Sequence, residues 1–364
     1  MWSFYSDLAE TGSLGDEPAS AWGASNPMHA WYGVVVADGR VEELDLEEAG
    51  IAGAITPRIG DLVQLKNLDL ADNRLSGSIP SELGNLIALR DLNLANNLLT
   101  GAIPAALGNL VELEEVDLDH NGLSGPCPAT LSRLVRLSEL DLDNNSFTGP
   151  IPTVLAELVS LTELDLDNNF FTGPVPPEFV NLVHLESLDL DHNELSGPIP
   201  EWLVELSRLR ELSLDQNRFT GSVPAWLGNL SMLENLDLNG NALTGSIPRE
   251  LSMLTELEIL DLDDNDLSGP IPPELGLLAN LVHLDLEGNE LSGSIPPELG
   301  RLINLEYVWL SGNDLSGPIP AVLGDLPNLA ILHLHENRLQ LPAPDNLTDP
   351  RPGLEVRLPE SLSE

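Results

Sequence analysis

The stretch Leu65–Pro80 reads LKNLDLADNRLSGSIP, and the same frame returns every 24 residues along the chain. A fixed period of about 20–50 residues indicates a solenoid of stacked coils. Such a fold offers one long, regular surface, which favours recognition over catalysis. The asparagine of the frame recurs twelve times without a change of spacing, as Asn73, Asn97, Asn121, Asn145, Asn169, Asn193, Asn217, Asn241, Asn265, Asn289, Asn313 and Asn337.

The frame can be interpreted residue by residue. The alternation at Leu68–Leu70 predicts a short strand with leucines inward and aspartate outward, stacked in parallel on its neighbours about 4.8 Å away. The amide of Asn73 carries two donors and an acceptor, which predicts a buried ladder that satisfies the backbone of a bend. Gly77 permits a tight backbone path, and Pro80 fixes φ ahead of a single turn of 3₁₀ or α helix.

The full frame, LxxLxLxxNxLSGxIPxxLGxL, closely resembles the plant-specific class of leucine-rich repeats over residues 41–338. This resemblance implies an α/β repeat solenoid, a right-handed superhelix with a parallel concave sheet and short 3₁₀ or helical turns on the convex side. It also implies a second short strand near Gly-x-Ile-Pro. Members are mostly recognition modules, such as ectodomains of plant receptor kinases and inhibitors of polygalacturonases.

Both ends depart from the repeat, as the caps of a solenoid must. We expect an N-terminal cap at residues 1–40, about 13 repeat units at 41–338 and a C-terminal cap at 339–364, whose tail covers the last strand edge. Plant members usually carry paired cysteines in both caps, whereas this chain has one cysteine, Cys127, and can form no internal disulfide. Cys127 occupies an Ile/Val slot, which predicts a small buried side chain. Repeats of this style without cysteines also resemble those of some algal and bacterial proteins.

The chain is strongly acidic, with 59 acidic and 15 basic residues and a net charge of −44. This charge disfavours nucleic acid and anionic membrane faces as partners and favours basic proteins and cations as counterions. Its single lysine resembles the composition of halophilic proteins. The sequence shows no signal-peptide pattern and no run long enough for a transmembrane helix, and it leaves the compartment open.

Acidic residues dominate the slots that should face solvent on each strand. We number the slots of the frame from Leu65 as the first. The fifth slot is mostly aspartate, and the seventh is aspartate or glutamate in most central repeats. Two interpretations are open. The carboxylates could recruit a cation-rich partner or Ca²⁺, or they could form a solvated surface that counterions screen.

The C-terminal third of the chain carries different side chains in the outward slots. We name five of them the aromatic–histidine patch: His283, Tyr307, Trp309, His333 and His335. Aromatic residues edged by polar groups are typical of binding hot spots, although packing of the C-terminal cap is an equally open interpretation. Exposed histidine pairs such as His333 and His335 usually bind no metal ion, so we predict no resident metal. The carboxylates that we expect beside the patch are Asp261, Asp263, Asp285 and Glu287.

No catalytic constellation emerges from the sequence. Ser311, His335 and Glu287 share the seventh slot of neighbouring repeats, but nothing supplies an oxyanion hole, and no cofactor motif is present. We therefore predict a non-catalytic, monomeric module that binds a protein or peptide, with basic side chains, on the concave face. Two alternatives remain: a structural or surface protein with a salt-adapted acidic face, and, from the resemblance, an inhibitor of a carbohydrate-active enzyme.

Overall fold

The computed structural model describes residues 31–359, which divide into two compact units. The first unit runs to Thr172 and includes Pro176–Leu185, and the second consists of Gly173–Val175 and the chain from Glu186 onward. Both units repeat one 24-residue coil, in which a short strand, a second short strand and a 3₁₀ helix follow one another. Within residues 31–359, no helix is both long and apolar enough to cross a membrane.

The first strand of each coil contains the Leu-x-Leu sequence, and we call these the LxL strands. Within each unit they pair in parallel and in register, with Leu68 beside Leu92 and Leu260 beside Leu284. These leucines are fully buried or nearly so, as the alternation predicts. The LxL strands of the first unit are Arg40–Asp45, Asn67–Asp69, Asp91–Asn93, Glu115–Asp117, Glu139–Asp141 and Glu163–Asp165. Those of the second unit are Ser187–Asp189, Glu211–Ser213, Asn235–Asp237, Ile259–Asp261, His283–Asp285, Tyr307–Trp309 and Ile331–His333.

A second strand follows the asparagine turn in each coil, and in most coils it contains the glycine of the frame. In Arg74–Gly77, the glycine has a φ of 79°, which a residue with a Cβ rarely adopts. The second strands of the first unit are Ala52–Gly53, Arg74–Gly77, Leu98–Gly101, Gly122–Leu123 and Thr148–Pro150, followed by Phe170–Gly173 at its edge. Those of the second unit are Glu194–Gly197, Arg218–Ser222, Ala242–Gly245, Asp266–Gly269, Glu290–Gly293, Asp314–Pro318 and Arg338–Gln340. The second strand implied by the family resemblance is thus confirmed.

A 3₁₀ helix closes each coil, which resolves the choice between 3₁₀ and α that the sequence left open. In Ser81–Asn85, extended Pro80 precedes the helix, and Leu83 faces the core. A Cβ at Gly84 would collide with the carbonyl oxygen of Ala106 in the next coil, so the glycine allows the helices to stack closely. The 3₁₀ helices of the first unit are Pro57–Asp61, Ser81–Asn85, Ala105–Asn109, Ala129–Arg133, Thr153–Glu157 and Pro177–Asn181. Those of the second unit are Glu201–Glu205, Ala225–Asn229, Arg249–Met253, Pro273–Leu277, Pro297–Arg301 and Ala321–Leu323.

The repeat asparagines form the predicted amide ladder. The Nδ2 of Asn97 donates to the carbonyl oxygens of Leu94 and Ala95 in its own turn, and to that of Leu70 in the preceding coil, at 2.9–3.1 Å. Its Oδ1 accepts the backbone N–H of Leu75 at 2.8 Å. Nine of the twelve asparagines are buried, and Asn121, Asn241 and Asn337 are half-buried.

The described ends extend the sheets of the two units. In the first unit, Val34–Ala37 pairs antiparallel with Arg40–Asp45. In the second unit, the tail forms a short α-helix, Asp345–Thr348, and then a strand, Glu355–Arg357, that pairs in parallel with Ile331–His333. The tail therefore covers the edge of the last LxL strand, as predicted.

The larger core side chains occupy leucine slots. Phe147 and Phe171 are buried and stack with their ring centroids 6.1 Å apart, whereas Phe170, in a variable slot, is 52% exposed. Cys127 is buried, as its slot predicts, and burial raises the pKa of its thiol to about 12. A thiol that ionises only at that pH is a poor nucleophile.

The asparagine ladder yields a stability prediction. Asn97→Asp keeps the side-chain size but removes both N–H donors, so the three carbonyl oxygens of Leu70, Leu94 and Ala95 face a carboxylate instead of an amide. We expect the free energy of unfolding to fall by about 2–4 kcal/mol, measured by urea denaturation. Asn85→Asp, at an exposed position in a 3₁₀ helix, introduces the same charge and is the matched control. Equal stability of the two variants would contradict the role assigned to the ladder.

Candidate binding surface of the LxL strands

The second unit brings the predicted site residues together on the solvent-facing side of adjacent LxL strands. His283 lies beside Tyr307, and the fifth-slot residues Asp285, Trp309 and His333 lie side by side in register. Asp261 pairs in the same way with Asp285. All nine predicted residues are half-buried. The remaining members, in the seventh slot, are Asp263, Glu287 and His335.

The five rings of the aromatic–histidine patch form one connected cluster. Tyr307 and Trp309 stack with centroids 5.4 Å apart and an interplanar angle of 7°. The ring of His283 lies 4.5 Å from that of Trp309, and His333 meets Trp309 edge-on at 6.3 Å. His335 in turn meets His333 at 5.7 Å. The sequence suggested that Tyr307 and Trp309 stand exposed; instead they are half-buried, because the rings cover one another.

The C-terminal cap borders the patch on one side. In the added strand, Glu355 places Oε1 3.5 Å from Nε2 of His333 and 2.9 Å from Nη2 of Arg357. Arg357 and His333 both lower the pKa of the Glu355 carboxyl, with Arg357 contributing most. His333 therefore contacts the cap, as the cap-packing interpretation predicts, while His283 packs on Trp309.

Several outward slots are more deeply buried than the alternation predicts. Ser311 is only 1% exposed, and Ala71, Ala95, Ser213 and Asp215 are also buried. Outward direction on the strand therefore does not guarantee contact with solvent.

Four side chains in or beside the patch carry buried polar atoms without a hydrogen-bond partner. These atoms are Nε2 of His283, Oγ of Ser311, Nε2 of His333 and Nδ1 of His335. Since buried polar atoms are nearly always paired in folded proteins, such a group calls for an explanation. The Ser311 hydroxyl donates to neither His335 nor Glu287, so the three seventh-slot residues do not form a hydrogen-bonded nucleophile set.

The fifth-slot aspartates have a structural role. Asp261 accepts the backbone N–H of Asp263 at 3.1 Å, and Asp285 accepts that of Glu287 at 2.9 Å. In the first unit, Asn93 makes the equivalent bond to Ala95 at 3.0 Å. An uncharged amide can therefore replace the carboxylate in this bond, which confirms that the slot reflects a structural habit of the repeat.

The carboxylates of these rows are hard to ionise. Burial, reinforced by neighbouring carboxylates, raises the pKa of Asp285 to about 8 and that of Asp263 to about 7, although a backbone hydrogen bond opposes the shift at Asp285. Burial also lowers the pKa of the His283 imidazole. None of the Lys or Arg ion pairs in the described chain involves Asp261, Asp263 or Asp285. Those pairs join residues such as Arg338 and Asp314, outside the two slots. The fifth- and seventh-slot rows thus carry acidic groups that have no Lys or Arg partner and that lie next to aromatic rings.

Comparisons with known proteins agree with this architecture. The profile described as leucine rich repeat matches residues 63–123, 111–171, 175–219 and 207–267, and a second profile of that description matches residues 280–302 and 304–326. No curated protein sequence shows a significant match.

Solved structures give the same result. The chain is similar to a TDR receptor, with 32% identity over 87% of this chain and 55% of that one, and a TM-score of 0.83. It is similar to the Arabidopsis receptor kinase HAESA, solved with the peptide hormone IDA and the co-receptor SERK1, with 30% identity, coverage of 91% and 69%, and a TM-score of 0.68. A leucine-rich-repeat protein of Leptospira interrogans is 27% identical, with coverage of 87% and 95% and a TM-score of 0.59. This chain spans only about half the length of the TDR receptor.

The raised carboxyl pKa values yield a pH prediction. Burial raises the pKa of Asp117 to about 6, and those of Asp141 and Asp237 to about 7. Between their unfolded pKa of about 4 and these values, the folded state binds protons that the unfolded state releases, so stability falls as pH rises. His283, with its lowered pKa, works in the opposite direction as a single group. We expect a melting temperature about 3 °C or more higher at pH 5 than at pH 8.

Amide substitutions test the origin of that slope. Asp117→Asn, Asp141→Asn and Asp237→Asn combined keep the backbone bond that Asn93 makes naturally, and should flatten the dependence. Three exposed residues of the 3₁₀ helices and loops provide a control that removes the same charge: Glu157→Gln, Glu201→Gln and Glu256→Gln. If the dependence of the melting temperature on pH is unchanged in the aspartate variant, or lost equally in the glutamate variant, then it arises from net charge and not from these three aspartates.

Proposed function

The chain belongs to the leucine-rich repeat family, and we propose that it is a non-catalytic recognition module for a protein or peptide segment that carries basic side chains. The segment would lie across the LxL strands of the second unit and contact the aromatic–histidine patch. One observation carries the proposal: the stacked rings of Tyr307 and Trp309 stand directly beside carboxylates that have no cationic partner. Asp285, in register with Trp309, is the nearest of these along the fifth-slot row.

The chemistry of the patch favours a cationic side chain. A guanidinium or ammonium group over the face of a Trp or Tyr ring gains a cation–π attraction, and a nearby carboxylate adds a charge-assisted hydrogen bond. A bound cation would stabilise the ionised form of Asp285 and so lower its raised pKa. An acidic segment would instead meet carboxylates that already repel one another.

The surface is also suited to an extended chain. Strand register aligns the outward slots of successive coils in rows, so side chains along a peptide can meet repeated positions. Arabidopsis HAESA, whose structure this chain resembles, was solved with a peptide hormone and a co-receptor, which supports peptide recognition by repeats of this type.

Binding can be tested with a panel of fluorescein-labelled 10-residue peptides that differ in their number of arginines, followed by anisotropy. We expect arginine-rich members to bind, with Trp309→Ala or Tyr307→Ala weakening the affinity by about 30-fold, as for a hot-spot aromatic. Phe170→Ala, which removes a 52% exposed aromatic from the first unit, should leave the affinity unchanged. Equal binding of glutamate-rich peptides, or undiminished binding to the Trp309 variant, would reject the proposal.

The uncompensated carboxylates also favour a second candidate, a structural protein whose acidic face requires a high-salt medium. Under that function, screening of the carboxylate rows should raise the melting temperature steeply between 0.1 and about 2 M NaCl. Combined Asp141→Asn, Asp237→Asn and Asp263→Asn should remove much of the rise, whereas the exposed Glu157, Glu201 and Glu256 variants should not. A melting temperature that is independent of salt would eliminate this candidate and leave the recognition module.

A further inference from the structure

The second unit contains one histidine–carboxylate group that differs from the others in its hydrogen bonding. Asp261, His283 and Asp285 each place a ligand-type atom within 4.8 Å of the other two. Two comparable groups occur around His120 and His192, but their Nδ1 atoms already lie 3.1 and 3.0 Å from a carboxylate oxygen, and both rings are about half exposed. At His283, by contrast, Nε2 is buried and has no hydrogen-bond partner.

We propose that Asp261, His283 and Asp285 bind a divalent transition-metal ion of the Zn²⁺ class, independently of any peptide ligand. One imidazole nitrogen and two carboxylate oxygens form a donor set that suits Zn²⁺, Fe²⁺ or Mn²⁺. The backbone bond to Glu287 uses only Oδ1 of Asp285, which leaves its Oδ2 to the ion, whereas Asp261 also accepts a side-chain hydrogen bond from Asn239 and would share its oxygens with the ion.

The geometry permits coordination with small side-chain movements. Zinc–nitrogen and zinc–oxygen distances of about 2.0–2.2 Å place tetrahedral ligands about 3.4 Å apart, so separations of up to 4.8 Å need shorten by no more than about 1.4 Å. All three side chains are half-buried and on adjacent strands in register, which leaves them this freedom. Three protein ligands leave one coordination position open towards solvent.

The electrostatics of the group are consistent with a metal. Burial lowers the pKa of His283 and so favours the neutral imidazole that binds metal ions. Burial and the neighbouring Asp261 carboxylate raise the pKa of Asp285, and a divalent ion would offset both effects. The ring of Trp309, 4.5 Å from that of His283, packs against the histidine and restricts its orientation.

Isothermal titration with ZnCl₂ tests the site in a His120→Gln/His192→Gln background, which removes the two comparable groups. We expect saturable binding that weakens at least about tenfold on His283→Gln or Asp285→Asn, each of which removes a direct ligand. The matched controls are His184→Gln, at an exposed histidine, and Asp237→Asn, at a fifth-slot aspartate that makes the same backbone bond at 3.1 Å. These should change the affinity by less than about threefold, well below the loss on removing a ligand.

Circular dichroism would show that each variant is folded, and the Asn93 precedent makes the aspartate substitutions structurally mild. The absence of saturable heat in the background protein, or binding that survives both His283→Gln and Asp285→Asn, would overturn the metal site. Neither result would bear on peptide binding, since the anisotropy measurement uses metal-free protein. Conversely, if zinc binds and no peptide does, the metal site is supported and the proposed peptide recognition is rejected.

Discussion

The whole architecture depends on the amide of the repeat asparagine. One side chain donates to two carbonyl groups of its own turn and one of the preceding coil, and accepts an N–H from that coil, as Asn73 does with Leu46 and Ile51. Aspartate lacks the donors, and serine is too short to reach both coils. Because this bridge ties each turn to the last, neighbouring strands cannot slip in register, and outward side chains of different coils must align in rows.

The acidic residues of the fifth-slot row and those of the seventh-slot row have different structural explanations. At the fifth slot, a carboxylate receives a backbone N–H, so an acceptor is required there by the turn, but Asn93 shows that a charge is not. At the seventh slot, the side chain of Asp263 accepts no hydrogen bond in the described chain, and its carboxylate and that of Asp261 repel one another. The fold therefore explains the acceptors of the fifth slot, and seventh-slot acids such as Asp263 are the part that function or environment must explain.

The sequence predicted those elements that spacing alone determines. The 24-residue period fixed the coil, the buried asparagines and the row that contains Asp285 and Trp309. It could not predict the burial of Ser311 or the stacking of Tyr307 on Trp309, because these depend on the sizes and rotamers of neighbours in adjacent coils. It also gave no signal for the strand Glu355–Arg357, which lies outside the repeat frame and forms only because Ile331–His333 offers an unpaired edge.

Along the fifth-slot row of the second unit, the acidic side chains and the aromatic–histidine patch occupy successive stretches. From Asp237 through Asp261 to Asp285 the row is acidic, and at Trp309 and His333 it becomes aromatic. Long-range attraction from carboxylates accelerates the arrival of a cationic partner but discriminates poorly, whereas packed rings hold a partner only on close contact. Because aromatic contacts chiefly slow dissociation, under the proposed function the acidic row would act on the association rate constant and the patch on the dissociation rate constant.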